Sequence, residues 1–322
     1  MRILVTGGAG YIGSVAATLL IKKGLQVTIL DDISSGHEDN IPVGAHFVRG
    51  SLLEIDKVLD ALEECDSVLH FAGKALVEES VREPDLYQRV NVDGTKNLLL
   101  QMRNRNINKL VFSSSAATYG EVTTIPITES SETNPINPYG FSKLQAEKLI
   151  NEESAEHGLS AVSFRYFNVA GALKTNSHWL QERHEPETHL IPNILKSSLE
   201  SPVKIFGADW PTLDGTCIRD YVHVIDLVEA HLLALLSLKN PEHRTYNLGS
   251  GTGYSIREVI DAAQKATGKS IPFVDAERRS GDPAILVADI TKVETELGWK
   301  PVRGLEIMVE DAYNSTKNLG AR

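Results

Sequence analysis

Thr6-Gly7-Gly8-Ala9-Gly10-Tyr11-Ile12-Gly13 decides how this chain is read. A β-rich run, Arg2–Thr6, leads into it, and a helical pattern, Ile12–Lys23, starts before it is over. Glycines at 7, 10 and 13 give G-x-x-G-x-x-G. Lacking a Cβ, they allow a tight turn and let backbone N–H groups come close to a pyrophosphate. The helix that follows adds the partial positive charge of its N-terminus. An ordinary glycine-rich turn is the alternative, and the strand before and helix after favour a dinucleotide loop. Gly7, Gly10, Tyr11, Ile12 and Gly13 are the candidate phosphate contacts.

Outward from this loop, short β-rich runs alternate with helical patterns. Gln26–Leu30, His46–Arg49, Ser67–Phe71, Lys109–Ser113 and Ala161–Tyr166 read as strands. Ile55–Glu64, Pro84–Arg105 and Tyr139–His157 read as helices. That alternation predicts βαβ units and a parallel sheet covered on both faces. It fails after Asn168. The segment 169–213 is rich in His, Glu and Pro, with one helix expected near Ile191–Glu200. Helices are then expected over Asp220–Leu238, Ile256–Thr267 and Ile290–Leu297. The expected class is α/β: a Rossmann-type doubly wound parallel sheet with a smaller α/β C-terminal substrate-binding domain. Residues 1–167 with about 214–246 form the nucleotide-binding part, and 168–213 with 247–322 the other. The ligand crevice is expected at the carboxyl ends of the strands, between the two parts.

Asp31-Asp32 ends the second strand. A carboxylate there accepts from ribose hydroxyls and repels a 2′-phosphate, which favours NAD over NADP. Tyr139 and Lys143 stand four residues apart at a helix start and share one face. A free tyrosine titrates near pH ~10, and a neighbouring ammonium favours its phenolate. The pair suits removal of a proton from a carbinol oxygen while hydride leaves the carbon. Alone it also fits an amphipathic helix with an exposed lysine. Ser113-Ser114-Ser115, one βα unit earlier, adds a hydroxyl at a strand end.

Of 322 residues, 42% are hydrophobic and 23% charged, ordinary globular usage, with a net charge of −11. That balance argues against a nucleic-acid partner. No apolar run reaches the roughly 18 residues of a membrane span. The N-terminus turns glycine-rich too early for a signal peptide. Two cysteines, Cys65 and Cys217, are too few for a disulfide framework, and a cytoplasmic protein is expected. His178, His184 and His189 cluster loosely without a His-Glu-x-x-His spacing. They are expected to be solvated or hydrogen-bonded, and no metal is expected.

Taken together, G-x-x-G-x-x-G and Tyr-x-x-x-Lys resemble the extended short-chain dehydrogenase/reductases. The resemblance runs over nearly the whole chain. It includes His70-Phe71-Ala72-Gly73, Asn91-Val92-Asp93-Gly94-Thr95 and Arg165-Tyr166-Phe167-Asn168. It continues through Asp214-Gly215-Thr216-Cys217-Ile218-Arg219-Asp220-Tyr221, Tyr246-Asn247-Leu248-Gly249 and Arg278-Arg279-Ser280-Gly281-Asp282. Within that family the strings are similar to members that epimerise UDP-hexoses at C4 with retained NAD. The resemblance implies Tyr139 as base, Lys143 tuning it and holding the nicotinamide ribose, and Ser115 orienting the sugar oxygen. Asp31, Asp32, Ser35 and Gly36 would contact the adenosine, and Phe71, Ala72, Asn91 and Phe167 would line the cofactor. Asn168, His189, Leu190 and Phe206 would contact the nucleotide sugar. Arg219 and Arg279 would pair with its diphosphate, and Asp282 would face the uridine. Arginine suits that task because its planar donors match phosphate oxygens.

The chain departs from the pattern in three places. Gly50-Ser51-Leu52 stands where an acidic adenine contact is usual, leaving Ser51 to hydrogen-bond there. Lys74 is displaced by one residue from a lysine found in some members, so that role is not carried over. Leu286 occupies the position that gates the sugar's size, which leaves UDP-N-acetylhexosamines and UDP-pentoses open as substrates. A non-catalytic NAD-binding sensor is the alternative of a different class. The family also implies a homodimer, with Pro84–Arg105 and Tyr139–His157 as the helices at its interface.

Overall fold

The computed structural model describes residues 1–122, 124–279 and 282–317. Its elements begin with β1 (Arg2–Thr6), α1 (Tyr11–Lys22), β2 (Gln26–Asp31), β3 (His46–Arg49), α2 (Ile55–Ala61) and β4 (Ser67–His70). Next come α3 (Val77–Arg82), α4 (Pro84–Tyr87), a π-helical turn (Gln88–Asp93), α5 (Gly94–Asn104), β5 (Lys109–Ser115), α6 (Pro138–His157) and β6 (Ser160–Tyr166). They continue as β7 (Asn168–Ala170), β8 (Leu173–Lys174), β9 (Trp179–Leu180), α7 (Leu190–Lys196), β10 (Val203–Phe206), β11 (Ile218–Arg219) and β12 (Tyr221–His223). The chain closes with α8 (Val224–Ser237), β13 (His243–Leu248), β14 (Tyr254–Ser255), α9 (Ile256–Thr267), β15 (Phe273–Ala276), β16 (Ile285–Leu286), α10 (Thr291–Leu297) and α11 (Leu305–Thr316).

Two compact units result. The first holds residues 1–120, 132–165 and 228–246; the second holds the described residues among 121–131, 166–227 and 247–322. The main sheet runs β13-β6-β5-β4-β1-β2-β3. Its pairs β1–β2, β1–β4, β2–β3 and β4–β5 are parallel. From β3 inward the order is that of the doubly wound nucleotide-binding sheet, with β13 added at the far edge. The order reverses between β1 and β4, where Thr6 pairs with His70. The loops leaving those two strands are the glycine loop and Phe71-Ala72-Gly73. Leu4, Leu30, Val68, Leu110 and Phe112 pack with Val58, Leu62, Leu98, Met102, Ala146 and Ile150 in one core.

The second unit is built from short pieces. β7 pairs parallel with β12, β10 with β15, and β11 lies between β14 and β16. Ile191, Ile194, Ile205, Val259, Ile260, Met308 and Val309 form its core. Ser255 and Glu258 make a capping box at the start of α9, and Gly268 closes it in the left-handed conformation.

Three expectations change. Pro84–Arg105 is not one helix: the π turn Gln88–Asp93 interrupts it and carries Asn91 to a buried position. Asp220–Leu238 is not helical from its start. Tyr221–His223 forms a strand with Asn168–Ala170, and the helix begins only at Val224. The Asp220 carboxylate takes Ser250 N at 2.5 Å, Ala288 N at 3.0 Å and Gly251 N at 3.1 Å instead of capping a helix. Those pairings also place 214–227 with the second unit, not with 228–246. The third change is an addition, since α3 and α11 had no counterpart in the sequence reading. Among the described residues no helix is long and apolar enough to cross a membrane.

The glycine loop is closed by two close approaches. Gly7 has φ +70°, and a Cβ on it would lie 2.6 Å from Ala72 N. A Cβ on Gly13 would lie 2.1 Å from Gly7 O. Gly13→Ala is therefore expected to destabilise the protein by about 1–3 kcal/mol through overpacking. Chemical denaturation measures this, and an unchanged midpoint would show that the loop does not need the approach.

Candidate active site

The first unit supplies a loop and a catalytic cluster. Gly10 stands at the N-cap of α1 and offers no side-chain cap. Gly7 N donates to Leu30 O at 2.9 Å and Gly10 N to Gly7 O at 3.2 Å. Asp31 at the end of β2 braces this loop. Its Oδ2 accepts from Ala9 N at 2.9 Å and its Oδ1 from Ile33 N at 2.8 Å. Burial pushes the Asp31 carboxyl upward, against those two backbone bonds. Ile33, a β-branched residue, is held at φ +59°, the left-handed region such residues avoid. Each Asp31 oxygen keeps a second lone pair for a ribose hydroxyl. The loop with Ser35 and Gly36 lies against Ala9, whose carbonyl also takes Asn40 Nδ2 at 3.1 Å. Asp32 Oδ1 accepts from Ser34 N at 2.9 Å. Ser51 donates its N–H to Glu54 Oε2 at 2.7 Å, so an acidic side chain does reach the end of β3, from a position the sequence reading passed over.

Asn91 ties the turn after β4 to α6. Its Oδ1 accepts from Lys74 N at 2.8 Å, and its Nδ2 donates to Lys74 O at 3.0 Å and Ser142 Oγ at 2.9 Å. Ala72 N donates to Thr6 Oγ1 at 3.3 Å, and the Phe71 ring packs 4.9 Å from His231.

β5 ends at Ser115, whose Oγ accepts from Ala117 N at 3.1 Å. Asn137 caps α6 through Gly140 N at 2.8 Å, with Pro138 in the first turn. Tyr139 follows, and the Ser115 side chain acts on its phenol. The Tyr87 ring meets the Tyr139 ring edge-on at 6.3 Å. One turn on, the buried Lys143 donates from Nζ to Ser113 O at 2.8 Å and lies 4.9 Å from the Phe112 ring centre. Burial lowers the Lys143 ammonium to about 8, with the Glu147 carboxylate opposing it. Burial raises the Tyr139 phenol, with the Ser115 side chain opposing. One further turn on, Glu147 takes Arg165 Nε at 3.0 Å and Nη2 at 2.7 Å, and Ser114 Oγ on the same Oε1 as Arg165 Nε. The Arg165 guanidinium lies 4.7 Å from the Tyr119 ring centre. Sequence reasoning missed Glu147, though its place four residues after Lys143 puts it on the same helix face.

The second unit groups the remaining candidates. Arg219 donates from Nη1 to Pro283 O at 2.9 Å, with Nη2 3.6 Å from Asp282. Leu286 is its parallel partner across β11 and β16. Arg279 stacks on Phe206 at 4.0 Å, and Arg278 on Trp210 at 4.1 Å. Asn168 Nδ2 donates to Asp220 O at 2.8 Å, and Phe167 N to Leu248 O at 3.0 Å. His189 N-caps α7, which opens at Leu190, and its ring pairs with Glu187 at 2.7 Å. Ser280 and Gly281 of the arginine motif lie outside the described residues.

Comparison with known proteins places these features in context. The NAD dependent epimerase/dehydratase family matches residues 3–249. A Corynebacterium glutamicum protein named UDP-glucose 4-epimerase is 46% identical, over 100% of this chain and 98% of its own length. A crystal structure of a UDP-glucose 4-epimerase superposes with a TM-score of 0.95 at 44% identity, over 99% of this chain and 98% of that one. A Brucella ovis UDP-glucose 4-epimerase in complex with NAD has a TM-score of 0.93 at 40% identity, over 97% of each chain.

The Glu147–Arg165 pair is buried, so its charges depend on each other. Glu147→Gln leaves the guanidinium without a counter-charge and is expected to cost about 3–5 kcal/mol. The double variant E147Q/R165M removes both charges and is expected to regain most of that loss. Urea unfolding of the three proteins checks it, and equal stability of E147Q and wild type would contradict it.

Proposed function

The chain belongs to the NAD dependent epimerase/dehydratase family, and on that footing we propose that it interconverts UDP-galactose and UDP-glucose by inverting C4. One observation carries the reading: Tyr139 opens α6 with the buried Lys143 ammonium one helical turn below, bonded to Ser113 O on the strand that ends at Ser115. This is a proton-handling site for a secondary alcohol. Full-length similarity to UDP-glucose 4-epimerases, one of them solved with NAD, supports it.

The first unit fits a dinucleotide. The uncapped start of α1, the closed glycine loop and the buried Asp31 form a cradle for a pyrophosphate with a ribose acceptor beside it. Gly7, Gly10, Tyr11, Ile12 and Gly13 would hold the phosphates. Asp31, Asp32, Ser35, Gly36 and Ser51 would hold the adenosine. Phe71, Ala72, Asn91, Lys143 and Phe167 would hold the nicotinamide end. Bound there, NAD supplies reversible hydride acceptance at the sugar's C4.

Tyr139 takes the proton from the 4-hydroxyl and returns it to the same oxygen. Burial holds its phenol protonated, so positive charge must lower it. The Lys143 ammonium and an oxidised nicotinamide ring both supply that charge. Ser115 orients the sugar oxygen toward Tyr139. Inversion requires the 4-keto sugar to show both faces, so the firm grip must fall on the UDP. Arg219 and Arg279 would take the diphosphate, Asp282 the uridine side, and Asn168, His189, Leu190 and Phe206 the rest of the nucleotide sugar. We also assign a homodimer through α5 and α6, where Leu100 and Phe141 are exposed apolar side chains. The two cysteines are buried free thiols, which fits a cytoplasmic setting.

Purified protein is expected to convert UDP-galactose to UDP-glucose without added NAD. Parallel reactions with UDP-N-acetylgalactosamine and a UDP-pentose read the sugar range. Inactivity on every sugar, even with NAD supplied, would overturn the proposal. Tyr139→Phe should lower kcat about 10²–10⁴-fold, as expected for loss of a general base; a non-catalytic sensor would keep its binding and have no turnover to lose. Lys143→Met removes the charge that assists ionisation of Tyr139, so its activity should recover only toward higher pH. A pH–rate profile with its rise in the same place as wild type would contradict that role.

A further inference from the structure

The loop between β9 and α7 repeats one arrangement twice: Glu182-Arg183-His184 and Glu187-Thr188-His189. In each, the histidine turns back on the glutamate two residues before it. His184 N donates to Glu182 Oε1 at 3.0 Å, and its ring Nδ1 meets the same oxygen. His189 N donates to Glu187 Oε1 at 2.8 Å, and its Nδ1 lies 2.7 Å from that oxygen. The same turn therefore presents a carboxylate and an imidazole side by side, twice. His189 of the second pair also lies close to the first. His189 Nδ1 lies 3.9 Å from Glu182 Oε2, and one ligand atom each from Glu182, His184 and His189 fall within 4.8 Å of one another. The two imidazole rings are 6.0 Å apart. His178 stands outside the group, its Nδ1 on Ser177 Oγ at 2.9 Å.

We propose that Glu182, His184, Glu187 and His189 bind a divalent transition-metal ion of the zinc type. A second observation points to a cation. The Glu187 side chain is only 6% exposed, and among the described residues its Oε2 has no hydrogen-bond partner. A buried carboxylate oxygen left unpaired is costly, and a cation satisfies it directly. Two nitrogens and two carboxylate oxygens suit zinc, which takes four ligands at about 2.0–2.2 Å in a tetrahedron. Magnesium and calcium prefer all-oxygen shells. Two carboxylates with two neutral imidazoles balance a 2+ charge. Glu182, His184 and His189 would close from within 4.8 Å to the roughly 3.3–3.5 Å edge of such a tetrahedron, and Glu187, already on His189 Nδ1 at 2.7 Å, would turn to join them. The ion would be structural: it would fix the loop that ends at His189 and Leu190, outside the proton chemistry of Tyr139. The proposal does not rest on the proposed reaction.

Without an ion, the same four groups would form two imidazolium–carboxylate pairs, and metal analysis separates the two arrangements. Tag-free protein is stripped with EDTA, desalted, incubated with Zn²⁺, gel-filtered and analysed by plasma mass spectrometry. About one equivalent per chain is expected, with a rise in Tm, since binding energy adds to folding energy. Co²⁺ in place of Zn²⁺ should give the intense visible bands of a tetrahedral site. Glu187→Gln, nearly isosteric and so expected to fold, and His184→Ala should each lose the ion, while His178→Ala keeps it. Background metal content with no Tm response to Zn²⁺, or full zinc retention in E187Q, would overturn the proposal.

Discussion

The Glu147 carboxylate accepts from Ser114 at the end of β5 and from Arg165 on β6, and these bonds fasten α6 to the middle of the sheet. Tyr139, Lys143 and Glu147 follow one another at four-residue steps, so they form one stripe on that helix. Fixing Glu147 therefore fixes the rotation at which Tyr139 meets Ser115. The same carboxylate sets charge as well as position. Burial alone drives the Lys143 ammonium down, and the Glu147 charge opposes it. Desolvating a buried ion pair offsets much of its attraction, so its contribution is better read as geometry than as stability. Here the fork of Arg165 and the Ser114 hydroxyl satisfy both carboxylate oxygens, and the bidentate geometry sets where the carboxylate sits.

The nucleotide loop uses the same device in miniature. Asp31 closes onto the Ala9 and Ile33 amides, and a β-branched residue is held in a left-handed conformation to allow it. Asn91 plays the matching part on the other side of the switch point, joining the Lys74 turn to Ser142 on α6. In each place a polar side chain at the carboxyl end of a strand, or near it, holds backbone in the position a ligand needs. The protein carries a net charge of −11, yet the second unit sets arginines on aromatic rings and beside Asp282. That local reversal of charge fits a diphosphate partner better than any broad electrostatic surface could.

Much of this was legible in the sequence because local chemistry and fold agreed. The glycine spacing, the strand runs and the Tyr139–Lys143 step each reflect a period that the backbone imposes. In one failure a long-range partner outweighed local preference. Asp220–Leu238 reads as one helix until β7 recruits Tyr221–His223 and three backbone amides claim the Asp220 carboxylate. Pro84–Arg105 has unbroken helical character, and nothing in it marks the extra residue of the π turn at Asn91. The Glu182–His189 cluster has no mark in the sequence because its histidines are not at helical spacing. The carboxylates lie two residues away, in a loop whose turn cannot be read from residue types. Leu98 and Leu99 are buried in the core and Leu100 is exposed, a division that only the packing of α5 decides.

The central claim is that the hydrogen on C4 leaves and returns within one protein-bound cycle while Tyr139 handles only the hydroxyl proton. UDP-galactose carrying deuterium at C4, incubated in ordinary water without added NAD, tests this directly. UDP-glucose that keeps the deuterium at C4 is the expected result. Loss of the label to solvent would show that C4 is deprotonated instead, and would contradict the assignment of Ser115, Tyr139 and Lys143 to hydride chemistry.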